Sequence, residues 1–342
     1  MTAVGRSNSF NVLWVLGDAV GFGPRFDLFT TRALMIAGLA EPRISQFLTT
    51  LGRIATAAGT PTAACVPVYR QMLDSDLLSL ADSVRCPVAD FDAVFVRADP
   101  PITQRFRHAL IQLALEETRV WFVNSPTAIL ALGSKIFNQR FHDRLAPGVV
   151  AAELEPLLAE MRRSPESDFV AKPLDLAGGR DVLRLQCGDA DSAATLQRLI
   201  DAHGFIHLQR FVEQVQTEGE IRYLVFHGSI LAAWRKRPAP GDYRANLDQG
   251  ATIERLPQGH DFSDAEAIVS RVTAVAPGFV FYSIDTIGPF VNELNVENIG
   301  GLPSADALYG RDHAGIVIDR LCAELERRRA FRGVRPLRQV LI

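Results

Sequence analysis

Three oxygen-bearing side chains towards the C-terminal end of the chain have the spacing of a metal site. In DTIGPFVNELNV (285–296), Glu293 and Asn295 lie two residues apart, so an extended strand points both to one face. Asp285 closes the preceding apolar run FVFYSID, and a turn at Gly288-Pro289 separates the two runs. Paired as a hairpin, the runs would bring Asp285 to that same face. Two like charges on one face repel unless something positive bridges them. Such oxygens suit Mg²⁺, which takes one or two carboxylates and completes its shell with substrate phosphates and water. A surface carboxylate pair is the competing reading.

Cations with related chemistry lie upstream. Lys172 ends the apolar run DFVAK, where an ammonium is costly to bury without an anion. Gly178-Gly179 follow it, and glycine lets backbone N–H groups turn towards an anion. Strand, lysine, loop, Gly-Gly and strand together fit a flap over phosphates, while a Gly-Gly pair alone is usually just a hairpin. Lys135, in GSKIFNQR, reads by itself as a solvated helix lysine. Arg222 enters the apolar stretch YLVF and so calls for a carboxylate or phosphate, with Glu220 at strand i,i+2 spacing as an equally consistent partner. The run RKRPAPGDYRANL (235–247) reads as a loop carrying four cations and Asn246, and most such runs are solvated faces.

The elements that must position these groups alternate along the chain. NVLWVLG (11–17), PTAACVPVY, DAVFVRADPP (92–101) and VWFVNSP (120–126) read as strands, with ISQFLTTLGRIATAAG (44–59) and TQRFRHALIQLALEET (103–118) as helices. Gly59 reads as the C-terminal stop of the first of these helices. The alternation predicts an open, mainly parallel α/β sheet, whose ligands collect at strand carboxyl ends, where Arg97, Asp99 and Asn124 fall. Segment 21–43 fits no single element. Beyond residue 125, SPTAILALGSKIF and SDAEAIVSRVTAVA (263–276) are helical in pattern. SPESDFVAKPLDLAGGRDVLRLQ, FIHLQRFV, GEIRYLVFHGSILAAWRKR and FVFYSIDTIGPFVNELNV read as antiparallel strands. The expected division is 1–124, 125–204, 205–325 and a basic peripheral tail, 326–342.

Composition narrows the function classes. The 342 residues are 48% hydrophobic and 22% charged, with a formal net charge of −3, which speaks against a general nucleic-acid binder. No run is long enough to span a bilayer, and the N-terminus lacks a convincing signal pattern. Four scattered cysteines without a CxxC fit packed or free thiols and a cytoplasmic setting.

Taken in order, the motifs resemble those of the prokaryotic glutathione synthetases, within the ATP-grasp superfamily of carboxylate–amine ligases. VRADPP (96–101), VNSPTAI (123–129), SKIF (134–137), VAKPLDLAGGRDVLRL (170–185), EGEIRYLVFHG (218–228), RANLDQGA (244–251) and DTIGPFVNELNV are collinear with the family's segments. The resemblance implies an ATP-grasp fold behind an N-terminal α/β domain, with ATP and Mg²⁺ as cofactors. Carried over by position, Lys135 and Lys172 would bind ATP phosphates under the flap of Gly178 and Gly179, and Gln209, Arg210, Phe211 and Val212 would line the adenine edge. Asp285, Glu293 and Asn295 would hold Mg²⁺, and Arg222, Arg244 and Asn246 would serve the acyl-phosphate region. Arg97, Asn298 and Gly300 would face small-molecule carboxylate and amine substrates. A homo-oligomer is also suggested. Departures fall on the flap, where Leu176 replaces a glycine, and after Val296, where Glu297 and Asn298 replace Thr or Ser and then Ser. Segment 21–43 reads as an insertion. A nucleotide-binding module without catalysis is the alternative, and retention of both lysines, Arg222 and the metal trio argues for the enzyme.

Overall fold

The computed structural model describes residues 9–18, 26–74, 80–174, 176 and 178–334. The chain divides into two compact units, one of Met1–Ala98, His108–Pro126 and Gly300–Ile342, the other of Asp99–Arg107 and Thr127–Ile299. Its first half contains β1 (Phe10–Leu16), α1 (Phe26–Ala40), β2 (Ile44–Thr50), β3 (Ile54–Ala57), β4 (Thr60–Pro67), α2 (Arg70–Leu73), β5 (Val84–Pro87), β6 (Ala93–Arg97), α3 (Gln104–Ala114) and β7 (Trp121–Val123). These strands form one sheet in the order β3-β4-β2-β1-β6-β7, with β5 on β4. Strands β2, β1, β6 and β7 run parallel, and their apolar residues make a continuous buried layer, as expected of a sheet covered on both faces.

Residues 44–59 are a correction to the expected helix. Ile44, Phe47, Leu48, Leu51 and Ile54 have helical spacing, but the chain forms β2, a short 3₁₀ turn and β3. Tertiary pairing overrides the local pattern here, because β2 lies in register beside β1 from Phe10↔Ile44 to Leu16↔Thr50. Its polar members are satisfied in the interior: Gln46 accepts a hydrogen bond from Trp14 Nε1 at 2.9 Å and donates one to the Met35 carbonyl. Gly59 ends no helix. With Ala58 it forms a two-residue turn at positive φ joining β3 to β4, the conformation that suits a tight hairpin. The undecided segment 21–43 contains α1. The buried face of α1 carries Thr30 and Thr31 beside Leu34 and Met35, while Ala33, Ile36, Ala37 and Leu39 lie on the less buried side, so the polar–apolar contrast that marks an amphipathic helix is weak.

The second unit carries α4 (Pro126–Leu132, all but its first residue), β8 (Gly148–Ala151), α5 (Leu154–Arg163), β9 (Asp168–Pro173), β10 (Leu183–Gln186), α6 (Ala190–His203) and β11 (Ile206–Arg210). Then follow α7 (Gln214–Thr217), β12 (Glu220–Phe226), β13 (Ser229–Arg237), β14 (Thr252–Arg255), α8 (Ser263–Val275), β15 (Phe281–Ile287) and β16 (Phe290–Asn295). They build two antiparallel sheets, β10-β9-β11-β8 and β14-β13-β12-β15-β16. Strand alternation gives each sheet an apolar face. Phe169, Ala171, Ile206 and Leu208 pack with Leu157, Met161, Leu196 and Leu199 of α5 and α6. Tyr223, Val225, Ile284 and Leu294 pack with Ile268, Val269 and Val272 of α8. The opposite faces of both sheets are left for polar chemistry.

The chain ends in the first unit with α9 (Leu302–Tyr309) and α10 (His313–Val334). Helix α10 continues across the boundary expected at 325/326. The basic stretch is therefore not a free arm over residues 326–334: Arg327 and Arg328 pair with Glu324, and the Arg328 and Arg329 guanidiniums lie over the rings of Trp121 and Phe10. Residues 335–342 lie outside the described part. Among the described residues, no helix is long and apolar enough to cross a membrane.

Candidate active site

Hairpin geometry gathers the carboxylates. β15 and β16 pair with Asp285 opposite Glu293 and Ser283 opposite Asn295, putting all four on one sheet face. Register shifts after Asp285, so Asn292 is the extra residue of a bulge, a feature that re-aims side chains. On the next strand Arg222 lies opposite Asp285 and forms a bidentate pair with it, at 2.8 Å from Nε and 2.7 Å from Nη2. Arg222 thus pairs with Asp285 rather than with Glu220, which settles the alternative left open by its spacing. Glu220 takes Lys236 of β13 instead, its partner in register. Lys236 also reaches Asp285 at 3.2 Å. Burial works against the Asp285 charge, but Arg222 and Lys236 overcome it and hold the carboxyl at about 2. For Glu220, burial dominates and raises the pKa, with Asp285 adding and Lys236 opposing.

The lysines of the second sheet join this network. Lys172 donates to Asn292 Oδ1 at 2.6 Å and to Gln209 Oε1 at 3.3 Å, and Asn292 in turn donates to Glu220. Burial and the nearby Lys135 depress the Lys172 pKa, against the pull of Glu293 and Glu220. Lys135 opens a 3₁₀ segment (Lys135–Arg144) capped by Ser134; its ammonium bonds the carbonyls of Leu174 and Leu176 and pairs with Glu293 at 3.2 Å. It therefore points inward, which its sequence alone did not require.

Between the polar faces of the two sheets is a cavity of about 830 Å³, its open mouth included. Lys135, Lys172, Gly178, Gly179, Glu293 and Gln209 line it, as do Phe211, Val212, Arg244 and Asn246. Gly178 and Gly179 both have φ near +70°, a backbone state that favours glycine. A Cβ on Gly179 would come within 2.8 Å of Asn246 Oδ1, so the flap and the 238–250 loop are in close approach. Arg244 is held by Asp242 through Nε and Nη2. Phe211 lies under the Arg184 guanidinium at 4.0 Å and edge-on to Tyr243. Val170, Val182, Phe211, Val212 and Ile287 pack together on the cavity wall, apart from the hydrogen-bonded lysines and carboxylates, which suits a ligand with a flat apolar part and a polyanionic tail.

Several expected residues lie elsewhere. Arg210 is not on the cavity wall: strand alternation turns it outward, where it is exposed and bonds Ser164. Arg97 is buried in the first unit, with Nε donating to Thr31 at 3.0 Å. Asn298 donates to Asp99 at 2.7 Å, and Gly300 begins the last segment of the first unit. Glu297 stands beside Gly133, where an added Cβ would approach its Oε1 at 3.2 Å; burial raises its carboxyl to about 7, with Lys135 opposing.

Sequence reasoning missed Lys236, Asn292 and His207. The run 235–237, read both as the end of a strand and as the start of a loop, completes β13, with Trp234 and Lys236 buried and Arg235 and Arg237 less so. That alternation was a readable signal. His207 lines the cavity beside Lys172, is 3% exposed, and is held at about 3 by burial and the two lysines. Its placement two residues before Gln209, between Ile206 and Leu208, could have marked it.

The arrangement has known counterparts. Residues 134–310 match the family described as prokaryotic glutathione synthetase, ATP-grasp domain, and residues 27–129 match its N-terminal domain. Most of segment 21–43, read above as an insertion, lies within that N-terminal match. The glutathione synthetase of Parasynechococcus marenigrum (strain WH8102) is 30% identical over 267 residues, 76% of this chain and 83% of the relative. That of Nitrosomonas europaea is 30% identical over 247 residues, 71% and 75% of the two chains. Among solved structures, D-cycloserine synthetase DcsG (19% identity, TM-score 0.62, 92% of this chain and 99% of that one) shares the fold. So does D-alanyl-alanine synthetase A from Vibrio cholerae (11%, TM-score 0.64, 94% and 100%).

The fold is that of the ATP-grasp ligases. The chain belongs to the prokaryotic glutathione synthetase family of that class. It is an ADP-forming carbon–nitrogen ligase, an ATP-dependent peptide ligase.

Proposed function

We propose that the enzyme joins a carboxylate to an amine through an acyl phosphate, with γ-glutamylcysteine and glycine, or a related acid and amine, as substrates. The observation that carries this reading is one cavity in which two lysine ammoniums and a carboxylate hairpin share a network. ATP would lie with its base against Phe211 and Val212 and its phosphates towards Lys135 and Lys172. Asp285, Glu293 and Asn295 could offer Mg²⁺ oxygens from one sheet face, Glu293 on the cavity wall beside Lys135, and Mg²⁺ would share the Asp285 oxygens now held by Arg222 and Lys236. When bound, the ion supplies positive charge to the phosphates.

A substrate carboxylate attacking the γ-phosphate meets like charge. Lys135, Lys172 and the Arg222–Asp285–Lys236 cluster offset that repulsion. ADP leaves, the amine nitrogen attacks the acyl carbon, phosphate departs and the nitrogen sheds a proton. Because water destroys an acyl phosphate, the Gly178–Gly179 turn and the Asn246 loop in contact with it serve as the closing cover. Glu297 and Asn298, which differ from the family pattern, set the acid or amine accepted.

Phosphate and ADP release from ATP across a panel of acids and amines, γ-glutamylcysteine with glycine included, tests the reading. Release should require one acid and one amine together. ATP binding without release for any pair would support a nucleotide-binding module instead.

A further inference from the structure

Cys65 and Cys86 sit on neighbouring antiparallel strands of the first unit, in β4 and β5. In register Cys65 faces Val84, and Cys86, two residues further along β5, shares the Val84 face. Both thiols converge on one acceptor, the Val84 carbonyl, at 3.7 Å from Cys65 Sγ and 3.9 Å from Cys86 Sγ. The environments differ: Cys65 is buried at 3% exposure and Cys86 is partly open to solvent. Among the described residues, β5 is a four-residue strand whose only strand partner is β4, so it can shift without unpicking the rest of the sheet.

We propose that this pair is an oxidation site, in which a peroxide converts the two thiols to a disulfide that ties β5 to β4. Cys86, the accessible thiol, attacks the peroxide; its sulfur gains one oxygen as a sulfenic acid and the peroxide leaves as water or alcohol. The Cys65 sulfur then attacks the Cys86 sulfur, and the sulfenic oxygen leaves as water with the Cys65 proton. The two sulfurs are oxidised by two electrons in total and one peroxide is reduced. Bringing this diagonal pair to a bond of about 2 Å needs side-chain rotation and a displacement of the edge strand. Burial raises the Cys65 thiol to about 12, so the first attack falls to Cys86 and Cys65 resolves once the edge strand shifts and its burial is relieved. The site is independent of the ligase reading.

The test treats the full-length reduced protein with one equivalent of hydrogen peroxide, blocks free thiols, cleaves after arginine and maps peptides without reductant. The expected product is peptide 54–70 joined to peptide 86–97, released by dithiothreitol. In Cys65→Ser, Cys86 should instead stop as a sulfenic acid that dimedone traps, and in Cys86→Ser no linked pair should form. Wild-type protein with Cys86 overoxidised while Cys65 stays free would overturn the proposal. So would linkage to Cys187 or Cys322, or two unmodified thiols.

Discussion

Removing the Asp285 carboxylate would leave Lys236, buried, and Arg222, largely buried, without their shared partner. Stranding buried charge of this kind is destabilising by about 3 to 5 kcal/mol. Asp285→Ala should therefore lose stability as well as turnover, and cannot by itself assign a metal ligand. Glu293 is less buried than Asp285, and its partner Lys135 keeps the Leu174 and Leu176 carbonyls, so Glu293→Ala should cost less stability than Asp285→Ala. If Glu293 holds Mg²⁺ as we propose, the variant should still lose turnover about a hundredfold or more. Denaturation midpoints and ADP formation measured on both variants separate the effects; full turnover in Glu293→Ala would remove the metal assignment. His207 offers a different readout. Its folded pKa, about 3, lies below the ordinary imidazole value of 6.5, so acid protonates the unfolded chain first. The associated stability is complete above pH 6.5 and is lost as pH falls towards 3. At pH 5 the loss from this residue is about 2 kcal/mol. His207→Leu should lose correspondingly less between pH 7 and pH 5 in urea titrations, and equal losses in the two proteins would contradict the buried neutral imidazole.

At the scale of elements, the flap depends on two glycines with unequal surroundings. Gly178 has only Asp248 near its Cβ direction, at 3.4 Å, whereas Gly179 faces Asn246 at 2.8 Å. Both substitutions to alanine strain the positive-φ turn, by about 1 kcal/mol. Gly179→Ala should additionally push the 238–250 loop away and reduce kcat/KM for ATP more than Gly178→Ala does. Equal kinetic effects would show that the loop contact does not matter for closure. The hairpin β15–β16 was legible because its apolar alternation and its Gly288-Pro289 turn agree with each other. Strand β2 was not, because Ile44, Phe47, Leu48 and Leu51 fit a helix until β1 supplies the pairing partner. Lys236 escaped for a related reason: a basic run looks solvated until register sets it opposite Glu220.

Across the whole molecule, the order of short motifs was more informative than any one of them. Lys135, Lys172, the Gly178–Gly179 turn, Asn246 and Glu293 are far apart in sequence and line a single cavity. Their convergence was expected from family resemblance, since spacing alone leaves Lys135 a solvated lysine. The links between them were not legible: the bulge that aims Asn292 at Lys172 and Glu220 needs the three-dimensional register. The alternation read before residue 125 reflects parallel β1, β6 and β7 and the strand β4, which proves antiparallel, while β2 and β3 were hidden by the misread stretch 44–59 and β5 had no reading. The central claim is that the acid is activated as an acyl phosphate before the amine attacks. With the acid–amine pair that releases phosphate fastest, the acid's carboxylate can be labelled with heavy oxygen and the products examined by mass spectrometry. The account predicts one labelled oxygen in the released phosphate for each amide and each ADP formed. Unlabelled phosphate accompanying amide formation would contradict it.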